Sequence, residues 1–126
     1  MNGLYESGED YLETILILKK RSGNVRSIDI VHEMNLSKPS VSRAVGILKN
    51  KGFITINEDG SIFLTDDGSK LAKRIYERHR ILTEALMSLG VDEKTASEDA
   101  CRIEHDISEK SFNKIKKHVR DARKSD

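Results

Sequence analysis

The chain has 126 residues, enough for one ordinary domain with a modest core and a small appendage, and too few for two large independent lobes. Charged residues make up 34% and hydrophobic ones 37%, with no Trp, one Pro and one Cys. That balance excludes membrane-embedded, collagen-like and disulfide-framed proteins and points to a helix-rich chain with spaced apolar residues. The net charge of +1 hides a segregation. Residues 19–51 hold eight Lys or Arg against only Asp29 and Glu33, a net +6, while the other 93 residues carry 14 bases and 19 acids, a net −5. A basic surface suited to a polyanion is therefore expected on an otherwise acidic body. The longest apolar run, Ile15 to Leu18, is far below the roughly 20 residues that span a bilayer, and the N-terminus lacks the order of a signal peptide. The expected location is the cytoplasm.

Residues 8–21 place Tyr11, Ile15 and Leu18 at spacings of four and three, which predicts a first helix stopped by Gly23, with its acids early and its bases late. Ser27 is the expected cap of a short second helix with Ile28, Val31 and Met34 inward, followed by a turn at Asn35 and Leu36. Ser37 then caps a third helix, with Pro39 in its first turn and Val41, Val45 and Leu48 on the inner face, ended by Gly52. Ile54–Ile56 and Ser61–Leu64, separated by Asn57, Glu58, Asp59 and Gly60, read as a hairpin. Thr65, Asp66 and Asp67 open a long helix (66–89) with Leu71, Ile75, Leu82, Leu86 and Leu89 on one stripe and Gly90 at its end. Asp92 is expected to cap a helix through His105, and Ser108 another through about Val119, before a polar tail from Asp121. The fold class is mainly α: a winged helix-turn-helix DNA-binding domain (1–68) followed by a helical domain (69–126).

In a helix-turn-helix the second helix enters the major groove and its first turns reach base edges and phosphates. Here that helix presents Ser37, Lys38, Pro39, Ser40, Ser42 and Arg43, and Arg43 has the fork that matches guanine O6 and N7. Lys49 and Lys51, with Lys19, Lys20, Arg21 and Arg26, read as phosphate contacts that position without specifying. The competing reading is a helix pair whose polar face is merely wet; capped turn, serine-rich first turn, hairpin and local charge together favour DNA. The acids Glu58 and Asp59 at the hairpin tip argue against deep insertion into a minor groove.

Cys101, Glu104 and His105 fall at i, i+3 and i+4 of the expected fifth helix, which gathers thiolate, carboxylate and imidazole on one face within reach of one ion. Asp10 and Glu13 form a second such pair on the first helix, and His79 lies along the apolar stripe of the long helix. Singly, each has an ordinary alternative as a packed or surface residue. His32 and His118 lack partners at suitable spacing and read as structural or solvent-facing.

The order of winged helix, long helix with ERHRILTEAL, and ACRIEHDIS, with EDYLE upstream, resembles the diphtheria-toxin-repressor family of metal-dependent transcriptional repressors over nearly the whole chain. The resemblance implies that Asp10, Glu13, His79, Cys101, Glu104 and His105 are metal ligands and that the second domain binds metal and dimerises. The iron-responsive branch has Met where Asp10 stands, further ligands where Thr83 and Ser97 stand, and usually an additional SH3-like domain. The short manganese-responsive branch is the better match, although it usually has Glu at the position of Cys101. The thiol suits Fe(II), Co(II) or Zn(II) and the carboxylates suit Mn(II), which leaves the metal open. Three carboxylates and an ionised thiol carry four negative charges, balanced by two divalent ions per chain.

The resemblance implies a homodimeric repressor, not an enzyme, that binds a palindromic operator when Mn(II) or Fe(II) is bound and so regulates metal-homeostasis genes, with Zn(II) or Co(II) as substitutes in vitro. The alternatives are a metal-independent winged-helix regulator answering another small ligand, a metal-dependent hydrolase and a metal buffer. A hydrolase needs a spare base and a substrate pocket that the sequence does not suggest. A buffer leaves the basic helix-turn-helix unexplained.

Overall fold

Glycine and hydroxyl punctuation divides the chain into short amphipathic pieces, and the computed structural model, which describes residues 6–124, shows six helices and one hairpin among them. In order these are α1 (Glu6–Ser22), α2 (Ser27–Met34), α3 (Lys38–Asn50), β1 (Ile54–Ile56), β2 (Ile62–Leu64), α4 (Asp66–Ser88), α5 (Glu93–Ile103) and α6 (Glu109–Lys124). Two compact units divide at Lys73/Arg74, within α4.

The first unit is a winged helix-turn-helix. α2 packs on both α1 and α3, and the unit buries Leu12, Ile15, Leu16 and Leu18 of α1 with Val25, Ile30, Val41, Val45, Leu48, Ile54 and Ile62. The stripe on α1 is thus wider than Tyr11, Ile15 and Leu18 alone. On α2 the inward residue is Ile30, whereas Ile28 is exposed and Val31 and Met34 are half-buried. A strict three-residue spacing drifts around a 3.6-residue turn, so it does not hold one face. Ser27 is the first helical residue, and Arg26 is the N-cap. Its backbone N–H donates to Asp29 Oδ2 at 2.9 Å, half of a capping box. Asn35 ends α2 in the left-handed conformation (φ 54°), which its short polar side chain tolerates.

The wing is antiparallel, in the register Ile54↔Leu64, Thr55↔Phe63 and Ile56↔Ile62. Asn57 accepts the Gly60 N–H at 3.0 Å across the turn, and Ile62 N–H donates to Val25 O at 2.7 Å, which ties the wing to the α1–α2 connection. Thr65 joins wing to α4: its hydroxyl donates to Gly52 O at 2.7 Å and accepts the Gly68 N–H at 3.1 Å. Gly68 is required by contact, since a Cβ there would lie 1.9 Å from Phe53 O.

In the second unit Ile81 of α4 meets Phe112 and Val119 of α6, with Ala85, Ile107 and Ile115 around them. Lys116 bonds Glu77 at 2.7 Å, and Arg123 Nε bonds Glu84 Oε1 at 2.9 Å, so the middle and the C-terminal end of α6 are fastened to α4. For that reason α6 runs to Lys124, and residues 121–124 of the expected polar tail are helical, the last two lying outside the described residues. Leu89 lies beyond the end of α4 and is 80% exposed, so the buried stripe stops short of it. Asp92 and Ser108 cap α5 and α6 as expected, accepting from Thr95 N–H at 3.0 Å and Ser111 N–H at 3.1 Å. α5 itself ends at Ile103, two residues before the expected end. No helix among the described residues is long and apolar enough to cross a membrane.

Candidate nucleic-acid interface and metal centre

α3 carries the expected reading face. Ser37 Oγ accepts the Ser40 N–H at 3.2 Å and bonds the Ser40 hydroxyl at 2.8 Å. The two serines therefore serve the cap, and Ser40 is half-buried. Lys38, Pro39, Ser42, Arg43 and Lys49 are exposed. Other members of the basic group are engaged within the unit. Lys19 Nζ lies 3.7 Å from the Phe63 ring centroid and donates to Ile62 O at 3.3 Å, so it fastens the wing to α1. Arg21 bonds Glu33 at 2.8 Å, which holds its guanidinium above its ordinary pKa, and Arg26 pairs with Asp59 at 3.7 Å. Lys19 is thus a packing residue where a phosphate contact was expected.

The acid at the wing tip also has a local function. Asp59 accepts both the Ser61 N–H and its hydroxyl at 3.0 Å, and these bonds, with Arg26 nearby, hold its carboxyl below the usual aspartate range. The tip is a closed turn with fixed negative charge.

In the second unit Glu104 is the C-cap of α5 and still has helical backbone angles (φ −58°, ψ −26°), so the end of α5 leaves its relation to Cys101 one turn earlier intact. Its carboxylate is wholly buried. Oε2 lies 2.9 Å from His79 Nδ1, while Oε1 makes no hydrogen bond among the described residues and lies 3.5 Å from His105 Nε2. The His105 side chain is 3% exposed, and Cys101 is half-buried. A buried carboxylate between two imidazoles, one of its oxygens without a hydrogen-bond donor, carries a desolvation cost that a divalent cation would relieve. These donors fit such an ion. Asp10 and Glu13, the remaining expected ligands, lie one turn apart on α1 in the first unit, Asp10 half-buried and Glu13 buried. His32 and His118 are exposed.

Two participants escaped the sequence reading. Arg78 is 5% exposed, and its Nη1 donates to Glu104 O at 3.0 Å and Ile107 O at 2.9 Å, which pins the α5–α6 connection that carries Glu104 and His105. Its guanidinium also lies over the Phe112 ring, 5.2 Å from the centroid. In sequence Arg78 is one charge among many on a polar helix; its place on the buried stripe, three residues after Ile75, was the available signal. Ser97 is the second, with its hydroxyl 3.2 Å from His79 Nε2.

A winged helix-turn-helix joined through one helix to a unit with a cation-competent donor cluster defines a ligand-responsive transcriptional regulator. Residues 3–62 match the family profile described as "Iron dependent repressor, N-terminal DNA binding domain", and residues 65–125 match "Iron dependent repressor, metal binding and dimerisation domain". The chain belongs to this iron-dependent, or diphtheria-toxin, repressor family of metal-responsive transcriptional regulators. It is 34% identical over 125 residues to the HTH-type transcriptional regulator MntR of Bacillus subtilis, covering 95% of this chain and 88% of that protein. It is 33% identical over 113 residues to an uncharacterised HTH-type transcriptional regulator of Methanocaldococcus jannaschii, covering 88% and 90% respectively. Among solved structures, the manganese regulator SloR superposes with a TM-score of 0.80 at 28% identity over 90% of this chain. The chain spans about half of that structure, 53% of its length.

Proposed function

We propose that this chain is a cytoplasmic, homodimeric repressor that binds a palindromic operator when Mn(II) or Fe(II) occupies its metal centre, and that it regulates metal-ion homeostasis genes. The observation that carries the reading is the buried Glu104 carboxylate, one oxygen on His79 and the other without a hydrogen-bond donor beside His105. Cys101, one turn earlier on α5, adds a thiolate. Asp10 and Glu13 complete the ligand set on the strength of the family resemblance, and the combined charge suits two ions per chain, with Zn(II) or Co(II) as substitutes in vitro.

The switch follows from where the ligands originate. Asp10 and Glu13 belong to α1 of the DNA-reading unit and the other four to the second unit. Without a cation, clustered carboxylates and thiolate repel; a cation neutralises them and favours one arrangement of the two units. If that arrangement sets two copies of α3 about one DNA turn apart, roughly 34 Å, metal raises operator affinity, and by reciprocity DNA raises metal affinity. On α3, Ser37, Lys38, Pro39, Ser40, Ser42 and Arg43 form the reading end, with Arg43 on a base edge and Arg26 and Lys49 on phosphates.

The test is titration of chelator-stripped protein with Mn(II), repeated anaerobically with Fe(II), followed by DNA binding with and without the ion. Saturable binding of one or two ions per chain, with metal-dependent DNA binding lost in Glu104→Ala, is the expected result. DNA binding indifferent to metal, with no saturable ion, would leave a winged-helix regulator answering another ligand.

A further inference from the structure

His79 is held from both ring nitrogens. Nδ1 faces Glu104 Oε2 at 2.9 Å and Nε2 faces the Ser97 hydroxyl at 3.2 Å. A carboxylate only accepts, so in this arrangement the proton lies on Nδ1 and Nε2 accepts from Ser97; a hydroxyl, which can donate or accept, suits either tautomer. Thr83, one turn further along α4, spends its hydroxyl on His79 O at 2.7 Å, within its own helix. The hydroxyls of Thr83 and Ser97 are thus both engaged with His79, one at its backbone carbonyl and one at its ring.

We propose that Ser97 is a positioning residue of the metal centre: its hydroxyl claims His79 Nε2 and leaves Nδ1, on the Glu104 side, as the imidazole atom that meets the cation. The inference rests on the assignment of His79 and Glu104 as metal donors made above. The ring has one nitrogen on the buried carboxylate and one on a serine of α5, so rotating it to offer Nε2 to an ion beside Glu104 breaks both contacts. Partners behind a ligating histidine fix its tautomer and orientation, and losing them costs about 10–100-fold in metal affinity. Ser97 thereby selects a cation that shares Glu104 with Nδ1 over one bound at Nε2 on the far side of the ring.

The experiment uses the full chain labelled with ¹⁵N-histidine, Zn(II) alone as a diamagnetic probe, and the variants Ser97→Ala and Ser97→Thr. In the wild type, Zn(II) is expected to shift the His79 Nδ1 resonance and leave Nε2 protonated. Ser97→Ala is expected to bind Zn(II) about tenfold more weakly, with altered His79 ring resonances already in the metal-free protein, at an unchanged melting temperature. Ser97→Thr, which keeps the hydroxyl, restores both readouts. Zn(II) on Nε2 of the wild type, or Ser97→Ala matching the wild type in affinity and ring resonances, would overturn the inference alone. A wild type that binds neither Zn(II) nor Mn(II) would overturn the metal reading and this inference with it.

Discussion

Arg78 places a positive charge where a regular apolar stripe would place a leucine, and its neighbours explain why. Its guanidinium supplies two N–H donors to carbonyls in the α5–α6 connection and covers Phe112. Arg78→Leu keeps the apolar contact but leaves Glu104 O and Ile107 O without those donors. We expect a loss of about 2–4 kcal/mol in denaturant unfolding, with weaker metal binding because Glu104 and His105 lose their anchor. Arg43 differs in kind: it is exposed on the face of α3 proposed to read DNA, and its removal is expected to act on DNA and not on folding. Arg43→Ala should weaken operator binding by about 1–3 kcal/mol and relax base preference at one position, read by competition with single-base operator variants. Both are arginines in an amphipathic helix, and the sequence singled out only Arg43, because the helix-turn-helix pattern assigns a role to its position. The place of Arg78 on the apolar stripe marks it as unusual but does not identify its partners, which lie 26 and 29 residues away.

Elements show the same division. The caps at Ser37, Asp92 and Ser108 were legible because each satisfies donors within three residues. Asp92 also carries a pH signature. Hydrogen bonding from Thr95 holds its carboxyl below the usual aspartate range, so the charged form stabilises the start of α5. That contribution is present above about pH 4, the unfolded aspartate value, and is lost as pH falls through the lower folded value. Faster exchange of the Thr95 amide under acid, reduced in Asp92→Asn, which keeps a capping oxygen without the titration, is the expected result. The junction of wing and α4 depends on the absence of one atom. Gly68→Ala drives a methyl group into the Phe53 carbonyl, and a loss of about 1–3 kcal/mol is expected in thermal unfolding. Sequence marked β1, the end of β2 and the start of α4 but not this approach, since Gly68 sits inside a helix with no turn to announce it.

At the scale of the molecule, α4 is shared by the two units, and a bound cation should be felt as stability as well as DNA affinity. Saturating Mn(II) at about 100 times its dissociation constant is expected to add roughly 2.7 kcal/mol, visible as a higher melting temperature that chelator reverses. Glu104→Ala should abolish the rise. DNA binding should fall with salt, and Lys49→Ala should lower the slope of log K against log salt by about one without changing base preference.

The sequence by itself determined the element order and the winged helix-turn-helix, and it put forward Cys101, Glu104 and His105 as a donor group. Each of these is encoded locally, by apolar period, cap chemistry and i, i+3, i+4 spacing. The tertiary structure decided how the charges and hydroxyls are used. Lys19 is committed to Phe63, Arg78 to the α5–α6 connection and Ser97 to His79, each across at least 18 residues. Such pairings depend on which faces of separate helices and strands come together in the packed chain. A polar side chain looks the same in sequence whether its partner there is water or a buried histidine.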